Sequence, residues 1–249
     1  MSRTRISALF VGLVVLATPV AAQKIEFEAE DFVDSFGNVW EVFDPPFDAP
    51  VQQHAQIAKE IDGKADYTIE EASGDAFVGI PNGVGDKQNV PGGGWLKYEF
   101  NVPKQANWYL WGRAIAPTAG DNSCYWARDA DDGDADSNDD NVNNIWDMFE
   151  NAGFVNDLTS DWHWFLINSR TGPFAGNENE QTGPNPKPLN IRAGTHTLHI
   201  VHREDGLFFD WFMATTDKGL DPNRDGSTVR AVSSVGRLAT MWGDIKNGR

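Results

Sequence analysis

Lys24-Ile25-Glu26-Phe27-Glu28-Ala29-Glu30 alternates without a break. Ile25, Phe27 and Ala29 fall on one side of an extended chain, and Glu26, Glu28 and Glu30 on the other. This reads as a strand with one apolar and one acidic face. Further strand signals, rich in β-branched and aromatic residues, occur at 67–71, 76–80, 95–102, 108–116, 123–128, 162–168, 196–203 and 208–215. Gly, Pro, Asn and Asp clusters separate them, most clearly Pro91-Gly-Gly-Gly, Arg170-Thr-Gly-Pro and Ala193-Gly. Amphipathic helices do not alternate with these runs, which argues against a parallel α/β sheet. The expected fold is all-β, an antiparallel β-sandwich.

Composition agrees with one globular domain of this kind. The 249 residues include 10 Trp and 15 Phe, more apolar mass than a disordered chain carries, and 24 Gly and 13 Pro, which suit many turns. Acidic residues outnumber basic ones 37 to 20, for a formal net charge of −17. That excess argues against nucleic acid or an anionic membrane surface as a partner.

Residues 1–22 read as a secretory signal peptide: Arg3 and Arg5, an apolar stretch from Ile6 to Ala17, then Val20-Ala21-Ala22 as a small-residue cleavage site. No later stretch approaches 18 uninterrupted apolar residues, so membrane insertion is not expected. The expected destination is outside the cytoplasm: extracellular, cell-surface or periplasmic. Cys124 is the single cysteine, which excludes an intramolecular disulfide and leaves it as a small buried hydrophobe. Residues 218–249 differ in character. They are basic, and Val232, Val235, Leu238 and Trp242 are spaced like one helical face, so a short helix or a tail is expected there.

Several groups carry potential chemistry. Glu28 and Glu30, two apart on a strand, stand roughly 7 Å apart on the same face. Either solvent or a hard cation such as calcium relieves their repulsion. Asp210 interrupts an apolar strand, Phe208-Phe-Asp-Trp-Phe, and needs a partner. If the first and last strands lie side by side, Glu28, Glu30 and Asp210 can share one cation. The run 129–140 holds seven Asp and no base. It is either hydrated, the usual outcome, or closed around calcium. Asp221-x-Asn223-x-Asp225-Gly226 begins like a calcium loop, but Val232 occupies the twelfth position, so a turn is expected. His196, His199 and His202 do not converge as a metal face, because His199 points opposite to the other two in a strand. No nucleophile elbow, zinc-protease helix or phosphate loop occurs, and nothing singles out a catalytic residue.

Taken in order, Glu28-Ala-Glu, Glu71-Ala-Ser-Gly-Asp-Ala-Phe-Val, Gly94-Trp-Leu-Lys-Tyr-Glu-Phe-Asn-Val-Pro, Trp111-Gly-Arg, Asp121-Asn-Ser, Trp162-His-Trp and Gly194-Thr-His-Thr-Leu…Arg203-Glu-Asp-Gly…Asp210-Trp resemble one family. They are similar to the galactose-binding-like β-sandwich of family 6 and family 35 carbohydrate-binding modules, over residues 23–217. The resemblance implies a jelly roll with a structural calcium on Glu28, Glu30 and Asp210. It also implies a polysaccharide or glycan site with Trp162 or Trp164 facing the sugar. Trp162, Trp164 and Leu166 also share one strand face, which is the pattern of a core stripe. The resulting expectation is a secreted, non-catalytic carbohydrate-binding protein. The alternative is a structural or adhesive protein on the same fold without a working sugar cleft, and a glycan-degrading enzyme is a distant third. Oligomeric state, sugar identity and calcium in the 129–140 and 221–226 loops stay open.

Overall fold

The computed structural model describes residues 22–43, 72–73, 76–81, 83–85, 93–116, 120–136, 141–148, 162–169, 172–173 and 188–224. The signal peptide, the strand expected at 67–71, the turns at Pro91 and Arg170 and the helical face at 232–242 lie outside them, wholly or largely. Among the described residues twelve strands and one short helix follow in chain order: β1 Lys24–Glu28, β2 Asp34–Phe36, β3 Glu41–Phe43, β4 Phe77–Gly79, β5 Trp95–Val102, β6 Ala106–Ile115, β7 Ser123–Arg128, α1 Asp132–Ala135, β8 Asn144–Asp147, β9 His163–Leu166, β10 Leu189–Ile191, β11 Gly194–Val201 and β12 Phe208–Thr215.

These strands form two sheets, with every pairing antiparallel. The five-stranded sheet runs β2-β5-β11-β7-β8, and the seven-stranded sheet runs β10-β6-β12-β4-β3, with β1 on β12 and β9 on β6. The chain is therefore an antiparallel β-sandwich. First and last strands do lie side by side, with Glu28 opposite Trp211.

Period-two alternation explains the core. Leu96, Tyr98, Phe100 and Val102 of β5, Leu198 and Ile200 of β11, and Cys124 and Trp126 of β7 point inward. They meet Trp108, Leu110 and Ala114 of β6 and Phe209, Phe212 and Ala214 of β12. Ile25 and Phe27 pack against this cluster, and Ala29 belongs to it, as the alternation of the opening stretch requires. Gly112 faces the same interior: a Cβ there would run into the Trp146 ring, so the missing side chain makes room for the indole.

Both sheets also bury apolar residues on their outer faces. On the five-stranded sheet, Trp95, Val201, Tyr125 and Ile145 are cross-strand neighbours and form a small cluster. On the seven-stranded sheet there are two such clusters: Phe43, Phe77, Ile115, Trp162 and Phe208, and Trp164, Trp211 and Met213 with Leu220 and Trp111 beside them.

Short strands β2, β3, β8 and β10 lie outside the expected strand runs, because three or four residues are too few to display a period. The turn at Asp205-Gly206 is present, Gly206 taking a positive φ of 78°. Asp205 Oδ2 accepts the Gly83 and Gly85 N–H groups at 2.7 and 2.8 Å. Glu204 beside it accepts the Asn122 N–H at 3.0 Å, together with the Ser123 hydroxyl and the Arg203 guanidinium. Burial pushes the Glu204 carboxyl up, and these partners pull it back.

Candidate functional site

Register decides which expected residues meet. Glu28 is opposite Trp211, Trp211 is opposite Arg113, and Arg113 is opposite Trp164, which makes a row across β1, β12, β6 and β9. The pairing of β12 with β6 slips between Phe209 and Trp211, leaving Asp210 as an extra residue. Such a bulge lets two successive side chains stand on one side of a sheet. Trp211 packs on Trp164, and Asp210 reaches Arg113 in the same row.

Asp210 is fully buried and not alone. The Arg113 guanidinium donates to its Oδ2. Its Oδ1 accepts the Ser73 backbone N–H at 2.6 Å and lies 2.9 Å from the Ser73 hydroxyl. That same hydroxyl lies 2.6 Å from Glu28 Oε2. Burial pushes the Asp210 carboxyl above its usual range, while Arg113 and then Ser73 hold it down. Trp162 completes the group, with the Arg113 Cζ 5.6 Å from its ring centroid.

The structure thus brings Glu28, Asp210, Trp162 and Trp164 to one face around Arg113. β1 ends at Glu28, the Ala29 N–H carries its ladder with β12 one bond further to the Asp210 carbonyl, and a turn at Ala29-Glu30 follows, closed by the Asp31 N–H on the Glu28 carbonyl; Glu30 lies in that turn. The Ala29 carbonyl accepts the Tyr98 hydroxyl at 2.7 Å. Burial pushes the Tyr98 hydroxyl well up, and the Glu30 charge adds to it. The strand therefore ends at Glu28, short of the alternating stretch in the sequence, while Ala29 still takes its place in the core.

Among the described residues no group of three or more His, Cys, Asp and Glu side chains is arranged to hold a metal ion. The chemistry of the pair that does converge still suits a hard cation. A serine hydroxyl carries one proton, so Ser73 Oγ–H satisfies only one of the two carboxylate oxygens within its reach. Glu28 and Asp210 also offer oxygen donors alone, the kind a hard cation takes.

Both indoles expected to face a sugar are buried, Trp162 at 8% and Trp164 at 5% exposure. Trp162 packs edge-on to Phe77, and Trp164 is tilted on Trp211 at 6.0 Å between centroids. Asn223 clamps β9 from outside the sheet: its Oδ1 accepts the Trp164 N–H and its Nδ2 donates to the Trp164 carbonyl, both at 2.9 Å. Residues 221–224 form the expected turn, with Asn223 N–H on Asp221 Oδ1 and Arg224 N–H on the Asp221 carbonyl.

Sequence reading missed Ser73 and Arg113. A signal for Arg113 existed: it is the lone charge in the apolar run Trp108-Tyr-Leu-Trp-Gly-Arg-Ala-Ile, as Asp210 is in its own strand. Two opposite, isolated charges in two apolar strands predict a pair. Ser73 had no such mark.

Over the part described, 129–136, the acidic run is largely exposed, as expected, but two of its carboxylates are also paired. Asp129 accepts from His196 Nδ1, at 2.9 Å, and Asp132 from Lys97 Nζ, at 2.7 Å, so strands β5 and β11 supply the bases the run lacks.

No protein-family model and no curated protein sequence matches the chain. Among solved structures it is similar to the C-terminal CBM6 of a marine laminarinase from Zobellia galactanivorans, at 13% identity and a TM-score of 0.38, over 78% of this chain and 99% of that one. It is similar to a family 35 carbohydrate binding module from Clostridium thermocellum, at 11% and 0.39, over 77% and 97%. It is also similar to a GH26-CBM35 β-(1,4)-mannanase from Podospora anserina, at 10% and 0.40, over 77% of this chain and 27% of that one. These are the families the motif order resembles. The sandwich assignment itself rests on the strand pairings, and the ligand is a separate question.

Proposed function

We propose that the chain is an exported carbohydrate-binding β-sandwich, stabilised by calcium and without catalytic activity of its own. The observation that carries this reading is the placement of Trp162 and Trp164 around the Arg113–Asp210 pair. An indole face offers flat apolar area to a sugar's C–H face, and charged groups beside it read hydroxyls. Calcium would be held by Glu28 and Asp210, with Glu30 as the third acid of the motif. Ser73 and Arg113 orient the two carboxylates.

A glycan array probed with the full mature chain, in calcium and again in chelator, tests the proposal. Binding to a defined glycan class, weakened by Trp162→Ala or Trp164→Ala, is expected; binding untouched by both substitutions removes the site assignment. The metal half is tested separately by melting temperature. Calcium should raise it in the native chain and leave Glu28→Ala unaffected, and a native chain indifferent to calcium rejects this half.

The burial of both indoles favours a second reading, a structural or adhesive extracellular protein on the same fold. Calcium-dependent stability or self-association with no glycan bound is its signature.

A further inference from the structure

On the outer face of the five-stranded sheet, Trp95, Val201, Tyr125 and Ile145 form a transverse row, all at most 9% exposed. Phe36 stacks on Trp95 and the Arg203 guanidinium lies 5.9 Å from the Tyr125 ring centroid, so each covers part of the row. Residues 129–136 run alongside. Asp129 is tied to His196 and Arg128 of the flanking strands, and its backbone takes the left-handed conformation, φ 54°, that redirects the chain. One turn of helix follows, in which the Asp134 and Ala135 N–H groups both donate to the Asp131 carbonyl. Asp136 then accepts the Gly94 N–H, next to Trp95.

The middle of this segment is held by one oxygen. Asp132 Oδ1 lies 2.7 Å from Lys97 Nζ and 3.0 Å from His199 Nε2. His199 itself is fully buried, edge-on to the Trp95 ring with centroids 5.1 Å apart. With its proton on Nε2, the imidazole donates to Asp132, and Nδ1 is left buried with no hydrogen-bond partner. A second proton would put an N–H at Nδ1 with nothing to accept it, and a second cation beside Lys97 on a single carboxylate oxygen.

We infer that residues 129–136 are an acid-released strap over the outer face of the five-stranded sheet, with His199 as the proton-sensing catch. Opening lets water reach the imidazole, so the open form takes up the proton that the closed form resists. Burial holds the His199 imidazole below its ordinary range, and Asp132 only partly offsets this. A histidine depressed in the closed state stabilises closure above its free value of about 6.5 and withdraws that support as pH falls. The other charged groups facing His199 are Asp34 on β2, Lys97 on β5 and Asp132 on the strap; β7 presents Ala127. Lys97 and His199 hold the Asp132 carboxyl low, so Asp132 stays ionised through this range. Asp136 acts in the opposite sense, because burial raises its carboxyl while the Gly94 N–H holds it down. Release would open His199 and the adjoining Trp95 ring to water, beside Phe36, which is 55% exposed and stacked on Trp95.

Hydrogen exchange of the full chain between pH 7.5 and 5.5 tests this, read at the amides of Asp134, Ala135 and Asp136 and corrected for intrinsic rates. Exchange is expected to rise about tenfold at the lower pH in the native chain. His199→Gln keeps a donor toward Asp132 but cannot titrate, and should show no rise. A native chain with flat protection, or a variant that rises as the native chain does, overturns the strap. Should the variant fail to fold, proton NMR of the native histidines decides. A His199 ring that titrates in step with the strap amides sustains the inference, and strap amides that move with His196 alone, or not at all, overturn it.

Discussion

A guanidinium with 6% exposure has to be matched charge for charge, and Arg113 is matched by Asp210. Removing one partner of a buried pair strands the other. Arg113→Met should therefore cost about 3–5 kcal/mol in urea unfolding, and Arg113→Met with Asp210→Asn should recover part of it. The pH dependence has a definite sign. Arg113 lowers a carboxyl that burial raises, so its loss lifts Asp210 further above the unfolded value. A carboxyl raised in the folded state loses stability as pH climbs through its folded value. The deficit of Arg113→Met should then shrink when unfolding is repeated at pH 5 instead of pH 8. Cys124 offers a simpler check. It is buried in the core, and burial pushes its thiol well up. Ellman's reagent should react with it slowly in the native protein and quickly in denaturant, and equal rates would contradict the core placement. Its burial was legible in the sequence, from a lone cysteine among strand-forming residues. The role of Ser73 was not, because a turn serine looks the same whether it bridges two carboxylates or faces water.

Among elements, β12 does the most. It pairs with β1, β4 and β6, and its bulge places Asp210 and Trp211 together on the outer side. Neither feature is visible in Phe208-Phe-Asp-Trp-Phe-Met-Ala-Thr, which reads as one unbroken strand. β9 is short, and Asn223 extends its hydrogen bonding through a side chain. Asn223→Ala removes two such bonds to the Trp164 backbone and should destabilise the protein by about 1–3 kcal/mol, measured as a lower urea midpoint. Asn223→Asp keeps one acceptor for the Trp164 N–H and should cost less. The long strands 95–102, 123–128 and 208–215 were readable to the residue, from runs rich in β-branched and aromatic residues between turn signals. The ion pairs of the acidic run were not readable. Its bases, Lys97, His196 and His199, sit far away in sequence and arrive only when β5 and β11 pair.

At the scale of the molecule, a net charge of −17 on a folded body opposes compaction. Raising sodium chloride from about 10 mM to about 0.5 M should increase the melting temperature even in chelator, because screening lengths fall to a few ångströms. A melting temperature that ignores salt would mean the acids are already neutralised in place. Among the described residues no helix is long and apolar enough to cross a membrane. What the sequence determined by itself was the sandwich class, the inward set of the opening strand, and the acidic character of the whole. Those follow from composition and period-two alternation, which act locally. Tertiary structure alone decided that Glu28 and Asp210 converge on Ser73, that Arg113 stands between Trp162 and Trp164, and that the acidic run lies over its sheet. These depend on register, on one bulge and on which buried charges find each other, and a sequence read one strand at a time contains no distances between strands.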